Sequence, residues 1–392
     1  MKTIALAGET FSRNTGDQAI HASLAYILRQ QDANLKILSL DISGREGADS
    51  SGGKRAFLLL RAIPASNSIQ FLVNIVFDRL QRRRHQARVW DPVLDEIDEL
   101  VIGGGQLLMD NNLDFPLKLS SLAGLAGAKR IPYHIAACGV GRSWSHTASR
   151  LFQPVLANAK SVTLRDELSR ERLMHFMPSL QNRVTFDPAI MAAEVYPDLQ
   201  KNLNADQVGL GVMSREDVNS HLLPAQRFSR KAWLEMWLEL LSGLVEEEFK
   251  VELFTTGSLQ DIHFAQRLFV EAQARGWSGV SLAGDQTGPG GLLASMQNYS
   301  LVIATRLHAS ILANSLGIST LGLSWDEKVR AYYAETGLTE RCFSLAELKV
   351  SGLVRAARGL NRQPFSASLL ADMKGRAREN ALVILGREFH NL

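Results

Sequence analysis

Apolar and polar positions follow two alternating rhythms along the 392 residues. Short β-prone runs (TIALAG, NLKILSLD, ELVIG, RIPYHIAAC, VTL) are followed by loops or by stretches with apolar residues at helical spacing, such as QAIHASLAYILRQ. The polar, proline-containing stretch EVYPDLQKNLNAD interrupts the series. VGLGVMS, KAWLEMWLELLSGLVEEE, KVELFTTG, IHFAQRLFVEAQARG and GVSLAG then resume it. This alternation predicts parallel sheets wound with helices. The clearest unit is Leu301–Val329. A strand, LVIAT, runs into a turn at Thr305–His308. HASILANSL then puts Ala309, Leu312, Ala313 and Leu316 on one stripe, Gly317 takes the helix C′ position, and ISTLGLS is the next strand.

A strand–turn–helix–strand unit aims backbone N–H groups and a positive helix end at whatever lies above the strand tip. Arg306 and His308 stand at that tip, and Lys328 follows the next strand, where the fold can bring it to the same edge. Two cations and an imidazole there describe an anion site with an acid in it. Near the other end of the chain, Asn14, Gly16 and Asp17 lie at or just before the start of a helix, and spacing alone reads Asp17 as an N-cap and Gly16 as a turn residue. Gly103, Gly104 and Gly105 end a strand and permit close backbone approach to a ligand. A dinucleotide fingerprint would need glycine at position 108, where Leu108 stands. Arg165 and Asp166 fall at a strand–helix junction.

Length and charge narrow the picture. A chain of this length is too long for one core and suggests two domains. A formal net charge of +3 gives no bulk attraction to nucleic acid, so none is expected as a partner. Two distant cysteines, Cys138 and Cys342, read as reduced thiols of a cytoplasmic protein. MKTIALAGET turns polar after seven residues, which argues against a secretory leader, and no run of 18 apolar residues offers a membrane span. Residues 43–89 break the rhythm: a Gly/Ser-rich connection precedes AFLLLRAIP and SIQFLVNIVFDRL, and Arg79, Arg82, Arg83, Arg84 and Arg88 follow. Two readings stay open. One is a pair of core-packed helices ending in a solvated basic face. The other is a peripheral contact with anionic lipid on the inner face of the membrane, through 54–88.

RLHASILANSLGISTLGLSWDEKV, NTGDQA, the triple glycine at 103–105, the Arg165-Asp166 pair with Ser169, and the Asp187-Pro188-Ala189 strand end occur in one order. In that order they resemble the polysaccharide pyruvyl transferase family. The resemblance implies an α/β chain of two Rossmann-like domains facing across a cleft (GT-B-like). Residues 1–195 would form the acceptor side, with 43–89 as a variable insertion, 205–343 the phosphoenolpyruvate side, and 344–392 a helical tail. It implies transfer of the pyruvyl unit of phosphoenolpyruvate to two hydroxyls of a sugar, free or lipid-linked, as a cyclic ketal with release of phosphate, in cell-envelope or exopolysaccharide synthesis. His308 would be the general acid, because a group titrating near neutrality suits protonation of the methylene carbon. Arg306, Arg165 and Lys328 would clamp the anion, with Leu307, Gly104 and Gly105 lining the site. Asp17 would act as base or orient the acceptor, and Asn14 would contact ligand. His21 and His134 match no motif and read as structural. No metal or cofactor is called for beyond the donor itself. The alternatives are a GT-B glycosyltransferase with a nucleotide-sugar donor and a non-catalytic sugar- or lipid-carrier-binding protein.

Overall fold

The computed structural model describes residues 1–47, 84–221, 227–284 and 286–387. The stretch 54–83, with Arg79, Arg82 and Arg83, lies outside them, so neither reading of the apolar and basic segment is addressed there. Arg84 and Arg88 are described and sit exposed on a helix over 84–95.

The chain divides into two units, Met1–Ser12 with Ala25–Thr185 and Glu379–Leu392, and Arg13–Leu24 with Phe186–Arg378. Among the described residues, the first unit holds six strands, all parallel: β1 (Thr3–Gly8), β2 (Lys36–Asp41), β3 (Glu99–Gly103), β4 (Tyr133–Cys138), β5 (Ser161–Leu164) and β6 (Arg183–Val184). Their order is β2-β1-β3-β4-β5-β6, so the winding direction reverses between β1 and β3. The inner strands are apolar along their length because helices cover both faces of a parallel sheet. Leu100, Ile102, Ile135 and Leu164 pack with Leu119, Leu122 and Phe152 from the flanking helices Asp114–Ala128 and His146–Ala157.

The second unit repeats the plan with β7 (Gln207–Gly211), β8 (Lys250–Phe254), β9 (Val280–Leu282), β10 (Tyr299–Ala304), β11 (Ser319–Ser324) and β12 (Cys342–Ser344). The order is β12-β11-β10-β7-β8-β9, all parallel, with the reversal between β7 and β10. Leu210, Leu253, Ile303 and Leu323 pack with Trp233, Trp237 and Leu241 of the helix Arg230–Glu246. In open parallel sheets, ligands bind beyond the carboxyl ends of the strands at such a reversal.

Three boundaries differ from the sequence reading. The domain break expected at 195 falls at Thr185/Phe186. Residues Arg13–Leu24, expected in the first domain, pack with the second unit, so the helix Thr15–Gln31 is shared between the units. The tail 344–392 is not one body. The helix Val350–Leu360 buries Leu353, Val354 and Ala357 in the second core, whereas the end of the helix Ala367–Leu385 belongs to the first unit. There the buried Asn380 accepts hydrogen bonds from Thr163 (2.6 Å) and Thr185 (2.9 Å). Among the described residues, no helix is long and apolar enough to cross a membrane.

Candidate functional site

Residues expected in the site gather at the carboxyl edge of the second sheet. β10 ends at Ala304, and Thr305 ties its tip to β7 by donating from its hydroxyl (3.1 Å) and its N–H (3.3 Å) to the Gly211 carbonyl. Arg306 is the N-cap residue of the helix Leu307–Ser315, and Leu307 is buried as its first residue. His308 is the second residue of that helix. Its side chain is 13% exposed, and its buried Nε2 lies 3.5 Å from Oδ2 of Asp187, which is 4% exposed. Asp187 is itself fixed. It caps the 3₁₀ turn Pro188–Met191, and its Oδ1 accepts from the Ala189 N–H at 3.0 Å.

The segment before the helix Thr15–Gln31 reaches the same edge. The Thr15 N–H donates to the Thr256 carbonyl beyond β8 (3.0 Å). A glycine is required at 16 because a Cβ there would stand 2.2 Å from Nδ1, 2.4 Å from Cγ and 2.7 Å from Cβ of His308. The imidazole therefore lies in the hollow a side chain would fill. Asn14 accepts from the Gly16 N–H through Oδ1 (3.1 Å), so the cap role that spacing assigned to Asp17 falls to Asn14. Asp17 is half-buried in the first helical turn, where a carboxylate complements the positive helix end.

Lys328 arrives by way of Trp325. The indole N–H donates to the Thr305 carbonyl (2.9 Å), one residue before Arg306, and the Lys328 ammonium lies 4.8 Å above the Trp325 ring. Its Nζ is 3.4 Å from Asp326, which also caps the helix Glu327–Glu335. The loop after β11 is thus bound to the tip of β10, as the sequence suggested it could be.

Arg306 behaves differently from a spare cation. Its Nε and Nη2 donate to Oδ2 of Asp261 at 3.0 and 2.7 Å, and Nη2 also pairs with Asp217. Asp261 is fully buried and holds the Ser214 N–H through Oδ1 (2.7 Å). Burial pushes its carboxyl above the usual range, and the Arg306 charge opposes that only in part. One guanidinium facing two carboxylates fixes geometry and brings no net positive charge.

Arg165, Gly104 and Gly105 belong to the first unit. Arg165 is buried against Gly139, where a Cβ would meet its guanidinium at 3.0 Å, and its Nε donates to Asp166 (3.0 Å). The other oxygen of Asp166 caps the helix Glu167–Phe176 through the Ser169 N–H, and the Ser169 hydroxyl accepts from the Val140 N–H. Gly104 and Gly105 take positive φ (81° and 70°) and continue the β3–β4 ladder: the Gly104 N–H donates to Ala136 and the Gly139 N–H to Gly105. Next to them Ala137 also has positive φ (49°), at a bulge in β4 where its N–H donates to Thr163. The sequence reading gave no role to Asp187, Asp217 or Asp261. Only the Asp187-Pro188 motif flagged one of them.

Two doubly wound parallel sheets, with an imidazole and cations at the reversal point of one, define a GT-B-like protein of two Rossmann-like domains. A family model for polysaccharide pyruvyl transferase matches residues 14–327, and the chain belongs to that family. Among solved structures, UDP-GlcNAc 2-epimerase from Methanocaldococcus jannaschii is similar over 98% of this chain and 100% of that one (TM-score 0.59, 12% identity). A structure of the M. jannaschii enzyme in complex with UDP-GlcNAc and UDP superposes with a TM-score of 0.55 at 12% identity, over 98% of this chain and 99% of that one. A further UDP-N-acetylglucosamine 2-epimerase covers 100% of this chain and 98% of its own (TM-score 0.56, 14% identity). At these identities the likeness is one of fold. No match was found among curated proteins.

Proposed function

We propose that the chain transfers the pyruvyl unit of phosphoenolpyruvate to a sugar diol as a cyclic ketal, within polysaccharide synthesis. The observation that carries this reading is His308, seated between Asp187 and Gly16 at the sheet reversal, beside the segment that delivers Lys328. His308 gives a proton to the methylene carbon, and the positive charge left on the central carbon is attacked by one acceptor hydroxyl. The C–O bond to phosphate then breaks, a second hydroxyl closes the ring, and the two hydroxyl protons restore the acid and leave with phosphate. A positioned general acid contributes about 10²–10⁴-fold to such a step. Lys328 meets the donor's negative charge, helped by the N-terminus of the helix Leu307–Ser315. Arg306, fixed by Asp261, presents a guanidinium of set direction. Asp17, close in sequence to Gly16, takes or orients the acceptor hydroxyl. A lipid-linked acceptor would place the enzyme beside a membrane surface.

The test is phosphate release from phosphoenolpyruvate with a panel of hexosides. Release that depends on both donor and a diol-bearing sugar supports the reading. Binding of uridine or guanosine diphosphate with no turnover of phosphoenolpyruvate would replace it with glycosyl transfer.

A further inference from the structure

We infer that Asp187 is a positioning residue that acts through His308: it holds the imidazole by Nε2 and leaves Nδ1, over Gly16, as the nitrogen that exchanges the catalytic proton. The inference rests on the proposed acid role of His308. Nε2 is buried and faces Oδ2 of Asp187 at 3.5 Å, so a proton there points at a carboxylate. Nδ1 lies along Gly16, the residue whose missing side chain makes room for the ring. An imidazolium that has given up its Nδ1 proton becomes the Nε2–H tautomer, whose remaining proton still faces the Asp187 carboxylate. A side chain that orients a catalytic imidazole in this way sets both its rotamer and its tautomer.

The carboxylate is held independently of His308, which makes it a fixed point. Its other oxygen caps Ala189, and the turn Pro188–Met191 packs on the helix that carries His308. On the same side, Tyr332 donates to Asn314. Burial first, then the charges of Tyr333 and Asp187, push its phenol well above the usual range, so it stays neutral and adds no charge beside Asp187.

Asp187→Asn keeps the cap, because Ala189 needs an acceptor and so retains the oxygen. The amide NH₂ then faces Nε2 and makes it an acceptor, which moves the proton of the neutral ring to Nδ1. Asp187→Ser removes the carboxylate and keeps a capping hydroxyl. With phosphoenolpyruvate and an active sugar, both variants should lose about 100-fold or more in kcat while KM for the donor stays within about threefold. In a His308→Gln background, Asp187→Asn should cost nothing further, because the two residues act as one unit. ¹⁵N spectra of labelled histidine, with the His308 signal assigned by its loss in His308→Gln, should show the Nε2–H form in the wild type and the Nδ1–H form in Asp187→Asn. The spectra need no substrate, so they read the pairing even if phosphoenolpyruvate proves not to be the donor. A wild-type enzyme that turns over the donor, with Asp187→Asn within threefold of its kcat, would overturn the inference. So would an unchanged tautomer, or a further loss in the double variant.

Discussion

Gly16→Ala is the sharpest perturbation of this site. The added methyl would stand 2.2 Å from Nδ1 and 2.4 Å from Cγ of His308, where carbon contacts settle at about 3.5–4.0 Å. The ring must therefore retreat by more than ~1 Å, or the start of the helix Thr15–Gln31 must lift off it. A misplacement of ~1 Å in a reacting group costs on the order of 10²-fold in rate. Stability should respond much less. Overpacking costs about 1–3 kcal/mol, and alanine in place of a helical glycine returns up to about 1 kcal/mol. The assay is phosphate release at saturating donor and acceptor, beside urea denaturation of the same preparation. We expect kcat to fall about 100-fold with no more than ~2 kcal/mol lost in stability. A Gly16→Ala enzyme at the wild-type rate would show that His308 does not need its seat, and the general-acid assignment would fall with it.

His308→Gln should lower kcat by about 10²–10⁴-fold with the donor KM little changed, whereas Lys328→Ala should weaken donor binding by about 2 kcal/mol, the low end for a charge contact because Lys328 is over a quarter exposed. The reverse pattern would make His308 an anion ligand. Near the start of β4 in the first sheet, burial outweighs the Glu99 carboxylate and holds His134 at about 4, below its unfolded 6.5. The unfolded chain thus takes the proton first as pH falls, and about 3 kcal/mol of stability present above pH 6.5 is lost by pH 4. Protonation of Glu99, whose value is lowered, adds loss in the same direction. His134→Gln should flatten this limb in urea titrations at pH 7.5 and 4.5, and an unchanged slope would assign it elsewhere. If the basic segment meets lipid, the protein should sediment with anionic vesicles at low salt, and less after Arg84→Ser with Arg88→Ser, each arginine contributing about 1 kcal/mol. Equal sedimentation with neutral vesicles would refute that contact.

Elements whose pattern is carried by their own residues were legible in the sequence. The strand at 301–304, the helix after it and the strand at 319–324 combine apolar runs, helical spacing and a C′ glycine. The helix Gly288–Met296 starts earlier than its apolar residues suggest, because Pro289 suits a first helical turn. β12 escaped notice because three half-buried residues make no periodicity. Motif order singled out His308 and Lys328, which the second unit brings to one sheet edge. It gave no sign that Arg306 would be met by Asp217 and Asp261, or His308 by Asp187. Those pairs join distant segments through tertiary packing and leave no local spacing to read.

The helices Thr15–Gln31 and Ala367–Leu385 each begin with one unit and end with the other, and this has a consequence for how the protein is made. Neither unit is a contiguous stretch of chain. The buried Thr163 hydroxyl donates to Asn380, a partner 217 residues further along the chain, so this contact of the first unit forms only near the end of synthesis. The second unit is in the opposite position: the seat for His308 is made before nearly everything it will join. A cut at any single peptide bond between the two sheets leaves one fragment without Gly16 and the other without Asn380. Separately expressed halves would therefore each lack a neighbour that the whole chain supplies, Gly16 beside His308 in one and Asn380 beside Thr163 in the other.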